Sequence, residues 1–297
     1  MREASAPGRC GILGNPSDIY GGAVLACSLA QRAICRLTPS EVDHPPEDAR
    51  LWDAARARYP EGAWRVEWSS EIPRSSGLAG STALLAATLA CLRGDPAPEP
   101  AVFADEVRQV EREGAGIACG YQDAFMAVHG GLRLMEFAGR DPDRGTVPVL
   151  TTELRAELPF LLISTGVERL SGNVHGPMID RWRAGERAVI EGMKEIGSLA
   201  APGAEDLRRG RLGRLGRAMR RNHEIVRGLG GSGEPIERLI ERCLDAGAIA
   251  AKLAGAGLGG TVIALSENPD GLRRSLADYG YERFLRPEVG PGLMVHA

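Results

Sequence analysis

The chain has 297 residues, 43% of them apolar and 25% charged, with a formal net charge of -3. That length can bury a sizeable core in one large domain or two packed ones, and the balance excludes a disordered or fibrous chain and any global field drawing the protein to nucleic acid or an anionic membrane. The six cysteines, Cys10, Cys27, Cys35, Cys91, Cys119 and Cys243, include no Cys-x-x-Cys pair, residues 1–8 lack the apolar core of a signal peptide, and no run approaches the roughly 18 apolar residues of a membrane span, so a reducing cytoplasm is the expected setting.

Arg9 to Leu13 reads as a short strand that breaks at Gly14-Asn15-Pro16-Ser17-Asp18 and resumes after Gly21-Gly22, a loop whose polar groups are expected to face outward. After a connector around Pro45-Pro46, Trp64 to Ser69 alternates as a strand does. Pro73 to Gly80 is turn-rich and enters the apolar run Ala83 to Leu92, which places glycine and serine at a helix N-terminus. Phe103, Val107 and Val110 share one helical face, Gly114 and Gly116 end that helix, and Gly130-Gly131 introduces a strand over Leu132 to Phe137. The first of two lobes is expected to span 1–158 and the second 159–297. In the second, Pro159 to Thr165 is a buried-strand candidate, and helical periodicity runs through Ile179, Trp182, Val189, Met193 and Ile196. Beyond the break at Gly228 to Gly233, a helix is expected over Ile236 to Lys252. Gly255-Ala256-Gly257-Leu258-Gly259-Gly260 then runs into the strand Thr261 to Leu265.

Binding phosphate takes several converging N–H donors, which glycine allows and a helix N-terminus reinforces. Ser76-Gly77-Leu78-Ala79-Gly80-Ser81-Thr82 has these parts, although a flexible turn capped by Ser81 or Thr82 would look the same. Gly255, Gly257 and Gly260 satisfy a dinucleotide Gly-x-Gly-x-x-Gly spacing, and so do Gly228, Gly230 and Gly233. The loop at Gly255 precedes a strand instead of opening a helix, which argues against a nicotinamide or flavin site. No Walker-type loop is present, so ATP would need another kind of loop.

Three segments together, in order, resemble the motifs of the GHMP kinases, the family of galactokinase, homoserine kinase, mevalonate kinase and phosphomevalonate kinase. They are Ala6 to Gly22, Gly77 to Ala83 and Lys252 to Gly260. Cys119-Gly120-Tyr121-Gln122-Asp123, with His129-Gly130-Gly131-Leu132 and Met135-Glu136-Phe137, resembles sugar kinases such as glucuronokinase and heptose-7-phosphate kinase. The loop at Gly14 and the stretch Arg181 to Glu186 look closer to glucuronokinase. The resemblance implies an α+β fold, ribosomal-protein-like in its N-terminal lobe and ferredoxin-like in its C-terminal lobe, and ATP and Mg2+ as cofactors. It implies a small, sugar-like or sugar-acid acceptor, while the balanced charge and the lack of long apolar runs lead to no nucleic-acid or membrane partner being expected.

By that resemblance Asp123 is the catalytic aspartate and Arg9 the basic residue that pairs with it and stabilises charge developing on the transferring phosphoryl group, whereas by its residue type alone Asp123 could be a helix cap. Gly77, Leu78, Ala79, Gly80, Ser81 and Thr82, with Gly255, Gly257 and Gly259, would bind phosphate. Ser81 and Glu111 would hold the metal, with Glu106 and Glu113 close enough in sequence to compete. Asn15, Asp18, Tyr20 and Gln122 would meet the acceptor, and Asn15-Pro16 departs from galactokinase's Glu-His. The arginine-rich stretch Arg208 to Arg221 is read as a solvated helix face, with Asn222 and Arg227 able to approach the acceptor. Heptose phosphates, mevalonate-like acids, amino acids, and a regulator with lost chemistry on the same fold remain alternatives.

Overall fold

The computed structural model describes residues 1–94, 99–143, 145, 147–167, 172–255 and 260–296. Its first sheet is built on two long antiparallel strands, β1 (Arg2–Leu13) and β2 (Ala23–Pro39), paired from Arg2 opposite Leu37 to Leu13 opposite Leu25 with register shifts between Pro7 and Arg9 and between Gly11 and Leu13. A single 3-10 turn, Ser17–Tyr20, lies between them. β2 is long enough to pair β3 (Trp64–Ser70) at one end and β4 (Leu132–Glu136) at the other, and β5 (Leu150–Leu154) extends the sheet beyond β4. Against it pack α2 (Gly80–Arg93) and α4 (Gln122–His129), with α1 (Arg50–Arg58) and α3 (Pro100–Gln109) outside them. α2 buries Ala83, Leu85, Ala86, Ala87, Leu89 and Ala90 around its circumference, as a helix with no polar face must. A wide π turn, Val110–Gly114, follows α3 and bears Glu111.

The second sheet runs β7-β8-β6-β9, all antiparallel, from β6 (Phe160–Ser164), β7 (Ala250–Leu253), β8 (Thr261–Leu265) and β9 (Phe284–Leu285). Its helices are α5 (Gly172–Arg183), α6 (Arg187–Ser198), α7 (Ala200–Arg208), α8 (Leu212–Gly228), α9 (Glu234–Asp245) and α10 (Pro269–Asp278). With these two sheets and their helices the chain is α+β.

Three expectations are corrected. The helix expected over Ile236 to Lys252 ends at Asp245: Gly247, at φ 91°, takes the left-handed conformation that closes a helix, and the chain then enters β7. The last segment, within the expected second lobe, returns to the first sheet, where β10 (Met294–His296) pairs with β1 and Gly290 is bonded to Ser28. The polar loop after β1 faces inward: Asn15, Ser17 and Asp18 are all fully buried, because α6 and α8 pack over it, and α8 supplies Asn222 to Gly14 and Asn15.

Candidate active site

The segment before α2 bends through three left-handed residues, Ser75 (φ 53°), Gly77 (φ 72°) and Ala79 (φ 63°). Ala79 sits at the N-cap and has no oxygen to offer, so the first N–H groups of α2 have no side-chain cap. Uncapped donors at the positive end of a helix dipole form a site for an anion. Leu78 anchors the loop from beneath, buried and with its carbonyl accepting from Arg9 N at 3.0 Å. From the second lobe, Gly255 and Gly260 press on it so closely that a Cβ at Gly255 would lie 2.4 Å from the Gly77 carbonyl and one at Gly260 2.6 Å from that of Ser76. Gly257 and Gly259, expected in the same role, lie outside the described residues.

Arg9 joins this loop to the first turn of α4. Its Nε donates to Oδ1 of Asp123 at 2.7 Å, a second guanidinium nitrogen lies 2.6 Å from the same oxygen, and the third donates to the Gly77 carbonyl at 2.7 Å. The arginine is 4% exposed, while the Asp123 side chain keeps 19% of its surface open. Asp123 does not cap α4; Asp18 does, with Oδ2 accepting from the backbone N–H of Tyr121 at 2.7 Å and of Gln122 at 2.9 Å. The carboxylate of Asp123 is thereby free of the helix cap, paired with Arg9 and partly exposed.

Glu111 is fully buried between the two hydroxyls at the start of α2: Ser81 donates to Oε1 at 3.0 Å and Thr82 to Oε2 at 2.7 Å. Burial pushes its carboxyl up to about 7, against the Thr82 hydrogen bond and with the charge of Asp123 adding to the rise. One carboxylate and two hydroxyls are hard oxygen donors of the kind Mg2+ takes, too few to hold it without phosphate and water. Accordingly, no cluster of three or more metal-ligating side chains occurs among the described residues. Glu106, the competitor in sequence, instead pairs with Arg58 and Arg93 and accepts from Tyr59, whereas Glu113 accepts from Gln109 on the surface.

Around Asp123 lie buried polar atoms with no partner among the described residues: Oδ1 of Asp18, the hydroxyl of Tyr20 and Oε1 of Gln122. Burial pushes the Asp18 carboxyl up, its backbone hydrogen bonds opposing. Tyr20 packs its ring 5.7 Å from that of Trp182 on α5. Asn15 is different. Its side chain donates to the Gly255 carbonyl at 3.3 Å and accepts from Lys252 Nζ at 2.8 Å, while its carbonyl accepts from Asn222 at 3.1 Å. Both ends of its amide are engaged in holding the lobes together. Asn222 is likewise committed to Gly14 and Asn15, and Arg227 reaches Glu237.

Two residues that the sequence did not single out emerge here. His175 on α5 lies close enough to Asp123 and Arg9 to feel both charges, and burial holds its imidazole below the usual value; an isolated histidine in a polar helix carries no signal of this. Lys252 is fully buried, donates to Asn15 and to the Leu253 carbonyl at 2.7 Å, and is pulled down by burial to about 7. Its signal was a lysine inside an otherwise apolar strand.

The loop, the cation–carboxylate pair and the buried acid gather at the start of α2 and of α4 the donors, cation and carboxylates that phosphoryl transfer uses. The model of the GHMP kinases N terminal domain matches residues 49–131 and that of the GHMP kinases C terminal matches 204–282. Glucuronokinase 1 of Arabidopsis thaliana is 29% identical over 88% of this chain and 84% of its own length. A mevalonate kinase of Archaeoglobus fulgidus is 28% identical over 90% and 94%. In fold, the Lactococcus lactis galactokinase complexed with galactose superimposes with a TM-score of 0.78 at 17% identity, covering 99% of this chain and 94% of that one. The chain belongs to the GHMP kinases, ATP-dependent phosphotransferases with an alcohol group as acceptor. No helix among the described residues is long and apolar enough to cross a membrane.

Proposed function

We propose that the chain transfers the γ-phosphoryl group of ATP to a hydroxyl of a sugar or sugar acid. The observation that carries this is the Arg9 bridge between Asp123 and the Gly77 loop, an arrangement that suits a proton acceptor working beside bound phosphate. The glucuronokinase likeness along most of the chain supports a sugar-like acceptor.

In this mechanism the α2 N-terminus and the loop Gly77–Thr82, buttressed at Gly255, bind the phosphates. Asp123 orients the acceptor hydroxyl and takes its proton as the oxygen attacks the γ-phosphorus in line, and Arg9 offsets the charge that builds on the transferring group. Glu111 with Ser81 and Thr82 would hold Mg2+, which when bound neutralises phosphate charge. Gln122, Asp18 and Tyr20 offer polar atoms to the acceptor's other hydroxyls.

The test is acceptor-dependent ATP consumption against a panel of neutral sugars, uronic acids, heptose phosphates, mevalonate and homoserine, with Asp123→Ala as control. Turnover of a sugar form that the variant loses supports the proposal. Turnover confined to mevalonate or homoserine, or none with any acceptor despite tight ATP binding, refutes it.

A further inference from the structure

Arg108, on α3, is 7% exposed, yet no carboxylate among the described residues lies within ion-pair distance of it and its Nε has no hydrogen-bond partner. It leans on the ring of Tyr121, its guanidinium carbon 3.6 Å from the centroid. Burial lowers its pKa, with Tyr121 opposing most strongly, Arg112 reinforcing the fall and Asp18 opposing weakly. Among the described residues the neighbouring arginines are answered: Arg140 by Asp105, Arg112 by Asp143 and the Pro142 carbonyl, Arg183 by Asp143. A buried cation without a counter-ion is costly, and an arginine fork is shaped for a planar or tetrahedral oxyanion.

Its position ties it to the acceptor. The Tyr121 ring carries Arg108, the Tyr121 N–H is held by Asp18, and Gln122 and Asp123 follow directly in the chain. Unpaired Oδ1 of Asp18 and Oε1 of Gln122 accept, so they call for hydroxyl donors, whereas arginine only donates. The geometry points to Arg108 as the residue that selects an acceptor bearing both hydroxyls and a compact oxyanion, carboxylate or phosphate. This rests on the sugar-kinase proposal and narrows it to acidic sugars.

The experiment measures kcat/KM with a hexuronic acid, the parent neutral hexose and the hexose 6-phosphate for the wild type, Arg108→Gln and Arg108→Lys, each checked for folding by thermal melting. The wild type should favour one anionic form over the neutral hexose, and which one identifies the oxyanion. Arg108→Gln should lower that anionic-to-neutral ratio roughly 10- to 150-fold, the range for a charged hydrogen bond. Arg108→Lys keeps the charge without the fork and should fall between, which carries the test if the glutamine variant does not fold. A wild type without anionic preference, or an unchanged ratio in the variants, overturns the role of Arg108 and leaves the sugar kinase standing. Failure to accept any sugar form overturns both.

Discussion

Exchanging Asp123 for asparagine removes the charge that answers a buried arginine while nearly preserving shape. Breaking a fully buried ion pair costs about 3–5 kcal/mol and an exposed one at most about 1. Arg9 is 4% exposed and the Asp123 side chain 19%, and Arg9 keeps its bond to the Gly77 carbonyl. The expected loss of stability is therefore about 2–3 kcal/mol, read from urea unfolding. Arg9→Met should cost a similar amount, and the double variant clearly less than the sum, because neither charge is then left alone. Acceptor-dependent turnover of Asp123→Asn, followed by coupled ADP formation, should fall about 10²- to 10⁴-fold, the share general-base catalysis usually supplies. ATP affinity should change far less. Turnover within a few-fold of wild type would refute the role of Asp123, and strictly additive stability losses would refute the coupling.

Glu111 gives the chain a pH dependence whose sign is fixed by its burial. Its carboxyl titrates about 7 when folded against 4.5 as a model group, so the contribution is fully present below 4.5 and is lost as pH rises through 7. The loss amounts to about 3 kcal/mol. Melting without nucleotide at pH 5 and pH 8 should show Glu111→Gln gaining on the wild type at the higher pH while losing activity; a constant difference between the two pH values would count against it. Gly255→Ala puts a Cβ 2.4 Å from the Gly77 carbonyl, so the phosphate loop must shift. The KM for ATP should rise about tenfold or more while that for the acceptor moves little, as initial rates would show; an unchanged ATP KM would mean the two loops do not bear on each other in catalysis.

Local chemistry declared the loop at Gly77, the strand after Pro159 and the apolar helix after Gly80, because glycine, proline and period act within a few residues. The sequence itself also contained the family motifs, and with them Arg9, Asp123 and Glu111. It did not contain the environment of a residue. Asn15 and Asp18 stand three residues apart in a loop that looked solvent-facing, yet the assembled interior buries both, giving Asn15 to Lys252 and Gly255 of the second lobe and Asp18 to the N–H groups of Tyr121 and Gln122 at the start of α4. His175 and Arg108 carried no pattern, and Lys252 only that of a lysine among apolar strand residues, since what distinguishes each is a buried charge or a neighbour far away in the chain. The return of β10 to β1 was equally invisible, as a short strand takes its partner from whichever edge is open. The sequence by itself determined the family, through the resemblance of its three ordered motifs, and with the family the α+β fold class and the phosphotransferase activity. Only the packing of one lobe on the other decided which polar groups are spent on structure and which are left over for a ligand, because hydrogen-bond satisfaction is a property of the assembled interior.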